Sequence, residues 1–297
     1  MFYMLSGALL LGKEESYSAL LKKRVGRFFL VLLGASVCAY CYLYRGSLSL
    51  KHFWYVFLSC NIVNPYWFLY AYLAFLLALP LLRKLAKNIS GQDILFLLIL
   101  RFVFSSGMDI WQYISQCNGW DFTAIYSGFT LPFATVDILF YPLLGYYLEH
   151  KVETGNFGKQ QFAFLIGGLV AAITGAVGMV WHQGIHTGSL AQKYSAIFVY
   201  IAAPCLYLLV KAACEKITQK RSYPKMEKGL SQIAGLTLGI YLMDPIFMVV
   251  FGMDFVALAG DSLYLIPLSV VYCCISMVVC GSITWILKKI PGIRKLL

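Results

Sequence analysis

Apolar runs of about bilayer length recur along this chain from one end to the other, at 26–44, 65–82, 92–111, 129–148, 162–181, 194–213, 233–252 and 264–287. A helix needs roughly 20 apolar residues to cross a hydrocarbon core about 30 Å thick. Within lipid a segment must satisfy its own backbone polar groups, which favours helices here. No interval between the runs could hold a soluble domain; the longest polar one is 214–232. Composition agrees: 60% of the 297 residues are hydrophobic and 12% charged, against roughly a quarter charged in soluble domains. The expected fold is all-α, a polytopic transmembrane helix bundle forming one domain over 1–297. It has eight full spans plus a partial N-terminal helix, because Met1–Gly12 reaches only about 18 Å at about 1.5 Å per residue.

The formal charge of +11 could suggest nucleic acid, but its placement argues for topology. The segments 13–25 with Arg27, 83–91, 149–161, 214–232 and 288–297, with Lys211 at a margin, hold 20 of the 24 Lys and Arg. The alternate loops hold Arg45, Lys51 and Lys193. By the positive-inside bias the first set is cytoplasmic, which makes a multi-pass cell-membrane protein with a cytoplasmic C-terminus and no nucleic-acid partner. Aromatics such as Trp54, Tyr55, Tyr66, Trp67, Trp111 and Trp120 crowd the opposite ends, as an interfacial belt does. Segment 45–64, interrupted by Lys51, His52 and Asn61, reads as an outer-face amphipathic or re-entrant helix. Eight spans before a cytoplasmic C-terminus start Met1 near the outer face, so the expectation is a chain lacking one upstream helix.

Ionisable side chains at membrane depth cost about 2.5–3.5 kcal/mol each on insertion scales, which makes each a candidate site. Arg101, Asp137 and Asp244 are such residues, the last directly before Pro245. Two readings stand: an internal salt bridge of Arg101 with Asp137 or Asp244, or a polar cavity for substrate. Lys22, Lys23, Arg24 and Arg27 form a basic cluster in which Arg24 and Arg27 stand three apart, on one helical face. Such a fork can clamp phosphates bidentately; equally, it can anchor lipid headgroups. His182 and His186 at i and i+4 lack a third ligand, so no metal is expected. His150 and His52 read as structural, and none of the four as a general base. The nine cysteines fall mainly in apolar runs, where a thiol packs as a small hydrophobe.

Longer stretches carry a resemblance. Phe2-Tyr3-Met4-Leu5-Ser6-Gly7 through Ser16, followed by Leu21-Lys22-Lys23-Arg24-Val25-Gly26-Arg27, resembles the polytopic acyltransferase-three family. Tyr66-Trp67-Phe68-Leu69 through Pro80 and Arg83-Lys84 is similar to that family's W-[FY]-L segment. Gly145-Tyr146-Tyr147-Leu148 is similar to its G-Y-[FY]-L helix end, and Gly239-Ile240-Tyr241-Leu242-Met243-Asp244-Pro245 to its late G-I-Y-L-x-H-P. The anchors run in order from residue 2 to 245.

The resemblance implies ten helices and a membrane O-acyltransferase. Such an enzyme moves an acyl group, commonly acetyl, from cytoplasmic acyl-CoA to a hydroxyl of a cell-surface polysaccharide or lipid-linked glycan, with membrane lipid around it. It assigns Arg24 and Arg27 to the acyl-CoA through the family's R-x-x-R, gives Ser6 and Gly7 a packing role, and offers Trp67 and Asp244 as further site candidates. There are departures. Asp244 and Tyr66 stand where many members have histidine, and the histidine proposed as general base falls upstream of Met1. The catalytic residue is therefore unassigned, and the expectation is a chain that binds donor yet transfers slowly or not at all. Two other readings are kept: a transporter or flippase using Arg101, Asp137 and Asp244, and a non-catalytic membrane scaffold.

Overall fold

The structure, a computed structural model, describes all residues except 60–61, 121–130, 156, 187–196, 219–222, 260–264 and 295–297. Among the described residues the chain is all-α with no strands. In chain order the helices are α1 (Phe2–Leu10), α2 (Tyr17–Ala19), α3 (Gly26–Leu43), α4 (Leu50–Ser59), α5 (Trp67–Asn88), α6 (Gly91–Arg101) and α7 (Gly107–Cys117). They are followed by α8 (Pro132–Thr135), α9 (Asp137–His150), α10 (Lys159–His186), α11 (Ile197–Thr218), α12 (Tyr223–Ala259), α13 (Leu265–Leu287) and α14 (Pro291–Arg294). Two π-helical segments, Leu20–Val25 and Phe102–Ser106, join α2 to α3 and α6 to α7.

Among the described residues, seven stretches are long and apolar enough to cross a membrane: Tyr17–Leu43, Asn64–Asn88, Gly91–Trp111, Lys159–Met179, Ile197–Thr218, Glu227–Gly252 and Leu268–Leu287. No more than 33% of any one of them is buried inside the protein, so most of their apolar side chains face outward. Lipid is the solvent that tolerates this. The chain is a multi-pass membrane protein.

These seven match seven of the eight expected spans; the eighth, 129–148, differs. Val136 is extended and breaks the run, leaving four-residue α8 and fourteen-residue α9. Residues 129–130 lie outside the described residues. Segment 45–64 holds the ten-residue α4, about 15 Å long and too short to cross, in keeping with a surface or re-entrant helix. Part of the 214–232 interval is helical, because α12 starts at Tyr223 and runs 37 residues, about 55 Å, well beyond the hydrocarbon thickness. Its first third carries Glu227, Lys228 and Gln232, exposed side chains that belong in water.

The chain divides into two compact units. One comprises 1–15 and 78–220, the other 16–77 and 221–297. In the first, α1 lies against α9 at closest approach. A Cβ on Gly7 would stand 2.0 Å from the Pro142 carbonyl oxygen, and one on Gly145 would stand 2.1 Å from that of Met4. Glycine at both positions lets the two backbones touch. The loop after α1 is tied to the basic end of α5. Arg83 Nε donates to the Leu10 carbonyl at 3.0 Å, its Nη2 to Glu15 at 3.0 Å, and Lys87 Nζ meets Glu14 at 2.5 Å. Arg83 thereby satisfies a carbonyl that the end of α1 leaves without a helical partner. Lys87 holds the Glu14 carboxyl below its ordinary range, by hydrogen bond first and charge second.

At the other end of α9, Lys211 Nζ donates to the carbonyls of Leu148, Glu149 and Val152 at 3.1, 2.5 and 2.9 Å. It is a lysine C-cap reaching across from α11. In the second unit, buried Val31, Leu32, Ala35, Tyr40, Phe53, Phe57, Tyr66 and Leu242 form one apolar core. Gly239 lies against Thr284, whose Cγ2 would stand 2.2 Å from an added Cβ.

Candidate functional site

The basic cluster sits at a helical irregularity. Ser16 caps α2, its hydroxyl accepting from the Ala19 amide at 3.3 Å, and the helix then widens into the π turn Leu20–Val25. Gly26 closes this turn, its N–H bonding the Leu21 carbonyl five residues back. Such π turns are rare and cluster at functional sites. Arg24 lies within the turn and is half-buried; Arg27, in the first turn of α3, is exposed, as are Lys22 and Lys23. Four cations thus gather within six residues at the start of a membrane-crossing helix.

The later motifs meet in the same unit. Tyr66, fully buried, donates its hydroxyl to the Leu242 carbonyl at 2.8 Å, and Tyr241 donates its own to the carbonyl of Pro65. Residues 176 positions apart in sequence are therefore stitched by a reciprocal pair of tyrosine hydrogen bonds. Asn64–Tyr66 forms a 3-10 turn that starts α5 with Pro65 early in it, a position where the missing amide is not needed. Trp67 is 39% exposed and edges against Phe68, whose ring in turn meets Tyr241 at 5.7 Å. Asp244 precedes Pro245 inside α12 and accepts from the Ser276 hydroxyl of α13. Ser276 is 2% exposed, so its bond to Asp244 joins the two helices from within.

Arg101 and Asp137 lie in the first unit and pair with each other. Arg101 ends α6 with 0% exposure; its Nη2 donates to Asp137 Oδ1 at 2.5 Å, and its Nη1 to the Ala134 carbonyl at 3.0 Å. The guanidinium carbon lies 4.6 Å from the Phe140 ring centre and 4.7 Å from that of Tyr141. Asp137 is the first residue of α9, where the helix dipole favours a carboxylate. Of the two readings open in the sequence, the geometry gives the internal ion pair, with Asp137 as the partner.

The side chains of His182 and His186 lie outside the described residues, as do Asn61 and Lys193. Among the described residues, no group of three or more metal-ligating side chains comes together. The sequence left two connections unread: the Tyr66–Leu242 and Tyr241–Pro65 bonds, and the pairing of His52 with Tyr40 at 2.9 Å. Aromatic hydroxyls flanking the two motifs were the available signal, since a buried tyrosine seeks an acceptor.

Set against known proteins, the chain matches a family model described as an acyltransferase domain over residues 1–285. Neither a curated protein nor a solved structure gives a match. The chain belongs to that acyltransferase family.

Proposed function

We propose that this acyltransferase-family membrane protein takes its acyl group, acetyl in the first instance, from cytoplasmic acyl-CoA and delivers it to a hydroxyl of a cell-surface polysaccharide or lipid-linked glycan. The observation that carries the donor assignment is the π turn that brings Arg24 and Arg27 to the start of α3 within a basic cluster. Coenzyme A presents several phosphates, and guanidinium groups bind phosphate through paired, charge-assisted bonds. The loop bias in Lys and Arg puts this end of α3 on the cytoplasmic side, where acyl-CoA is found. Trp67, next to Tyr66 at the start of α5, and Asp244, which accepts from Ser276 and lies two residues beyond Leu242, are the candidates for contacts further along the path.

Arg101 and Asp137 pair with each other in this reading and hold α6 to α9. That commitment favours the transferase over a transport site built on them. Membrane lipid is the surrounding partner, and no metal or nucleic acid is invoked.

Equilibrium binding of acetyl-CoA to the purified full chain tests the donor assignment. A hydrogen bond to a charged group is worth about 1.5–3 kcal/mol, so Arg24→Ala or Arg27→Ala is expected to weaken binding by about ten- to a hundredfold. Affinity unchanged in the double variant would remove the basis for an acyl-CoA donor.

A further inference from the structure

The other end of α3 holds a second constellation. Tyr40, 4% exposed, has three polar neighbours at its hydroxyl: the Ser49 carbonyl at 3.1 Å, the Ser49 amide at 3.4 Å and His52 Nδ1 at 2.9 Å. A hydroxyl has one proton to give and two lone pairs to receive with. If it donates to Nδ1, the bond to the Ser49 carbonyl is forfeited. If it donates to that carbonyl, the Ser49 amide and an Nδ1–H can both donate to the oxygen, and every group is used. The second arrangement makes one bond more and fixes the neutral imidazole as the Nδ1–H tautomer. Nε2 is then left with an acceptor lone pair. The Tyr44 ring, 5.0 Å from the imidazole and edge-on to it, packs the ring further. His52 is half-buried and sits in the first turn of α4, beside exposed Trp54 and Tyr55.

We infer that His52, which its sequence context alone reads as structural, is a general base for acyl transfer to a saccharide hydroxyl, with Tyr40 as the residue that positions it. The inference rests on the acyltransferase reading above and adds to it a site at the outer end of α3. In the step, Nε2 takes the proton of the acceptor hydroxyl as its oxygen attacks the thioester carbonyl carbon. The tetrahedral centre then collapses, the C–S bond breaks, and the proton on Nε2 passes to the departing CoA sulfur. The products are an O-acyl ester and CoA thiol, and nothing further is consumed. Thirteen residues of α3 separate Arg27 from Tyr40, about 20 Å at 1.5 Å per residue. The thioester of acyl-CoA lies at the far end of a long extended arm from its phosphates, so one donor can engage the basic cluster and still present its acyl group away from it. Exposed aromatic rings such as Trp54 and Tyr55 supply apolar faces against which a sugar ring can rest.

The test uses the purified full chain with radiolabelled acetyl-CoA and chitotriose as the acceptor probe, reading hydroxylamine-labile ester on the saccharide alongside acetyl-CoA binding. General base catalysis contributes about 10²–10⁴-fold, so His52→Gln is expected to lower ester formation by that factor while donor affinity stays at the wild-type value. His52→Ala is expected to regain part of the rate when imidazole is added, a response that a packing role would not give. Tyr40→Phe, which frees the tautomer, is expected to lower the rate less and to shift its pH profile. Wild-type ester formation no faster than that of His52→Gln overturns the inference, as does a loss in His52→Ala that imidazole does not restore. Donor binding that persists in either case leaves the acyl-CoA assignment standing, whereas its absence from the wild type brings that assignment down separately.

Discussion

At the scale of single residues, Arg101 carries the largest electrostatic debt in the first unit, since a guanidinium with no solvent exposure must find its whole environment in the protein. It has a carboxylate at 2.5 Å, a carbonyl at 3.0 Å and two aromatic faces within 5 Å. Removing one partner of a buried pair strands the other charge, at a cost of about 3–5 kcal/mol, while replacing both with apolar groups is often close to neutral. Asp137→Asn is therefore expected to lower the melting temperature of the detergent-purified protein sharply. Arg101→Met combined with Asp137→Leu is expected to recover most of that loss. A double variant no more stable than the single one would mean that the pair is not the unit of stability. The sequence showed that Arg101 needed a partner, because lone charges at membrane depth are costly. It could not choose between Asp137 and Asp244, since partner choice depends on how helices far apart in sequence are placed.

At the scale of elements, glycines set the closest approach. Gly7 and Gly145 lie against each other's helix backbones, and a methyl group at either would meet main-chain atoms rather than a side chain that can turn aside. Overpacking of this kind costs typically about 1–3 kcal/mol, and backbone contacts place it at the upper end. Gly7→Ala and Gly145→Ala are each expected to reduce thermal stability by about that amount. Their sum should be sub-additive, because one separation of α1 from α9 relieves both; full additivity in thermal melts would show two independent contacts. The resemblance gives Ser6 and Gly7 a packing role, so the α1 side of the crossing is legible in the sequence; Gly145 stands there only as part of a helix-end motif, and its contact with Met4 depends on how α9 is placed. The break at Val136 is not legible, because a hydropathy window averages over the backbone and cannot register one extended residue within an apolar run. Lys211 was counted with the loop cations, yet its three bonds to carbonyls at the end of α9 make it a helix cap. Charge alone does not separate those roles.

At the scale of the whole molecule, orientation decides whether the basic cluster can meet its proposed ligand. Twenty of the 24 Lys and Arg fall on one set of loops, and the energetic preference that keeps such residues on the cytoplasmic side is summed over many loops rather than set by one. Part of that count has structural duties as well: Arg83 and Lys87 pair with Glu15 and Glu14 across 68 and 73 residues of sequence, a pairing no local pattern reveals. Discounting Arg83, Lys87 and Lys211 leaves 17 of the 20 in the same loops, so the asymmetry survives. A reporter active only outside the cytoplasm is therefore expected to be silent when fused after Gly155 or at the C-terminus, and active when fused after Gly46. Gly46 lies between α3 and α4, close in sequence to Tyr40 and His52, and thus reports the side on which acyl transfer is placed. Activity after Gly155 together with silence after Gly46 would invert the chain, put Arg24 and Arg27 on the face where acyl-CoA is absent, and sever the donor from the clamp proposed for it.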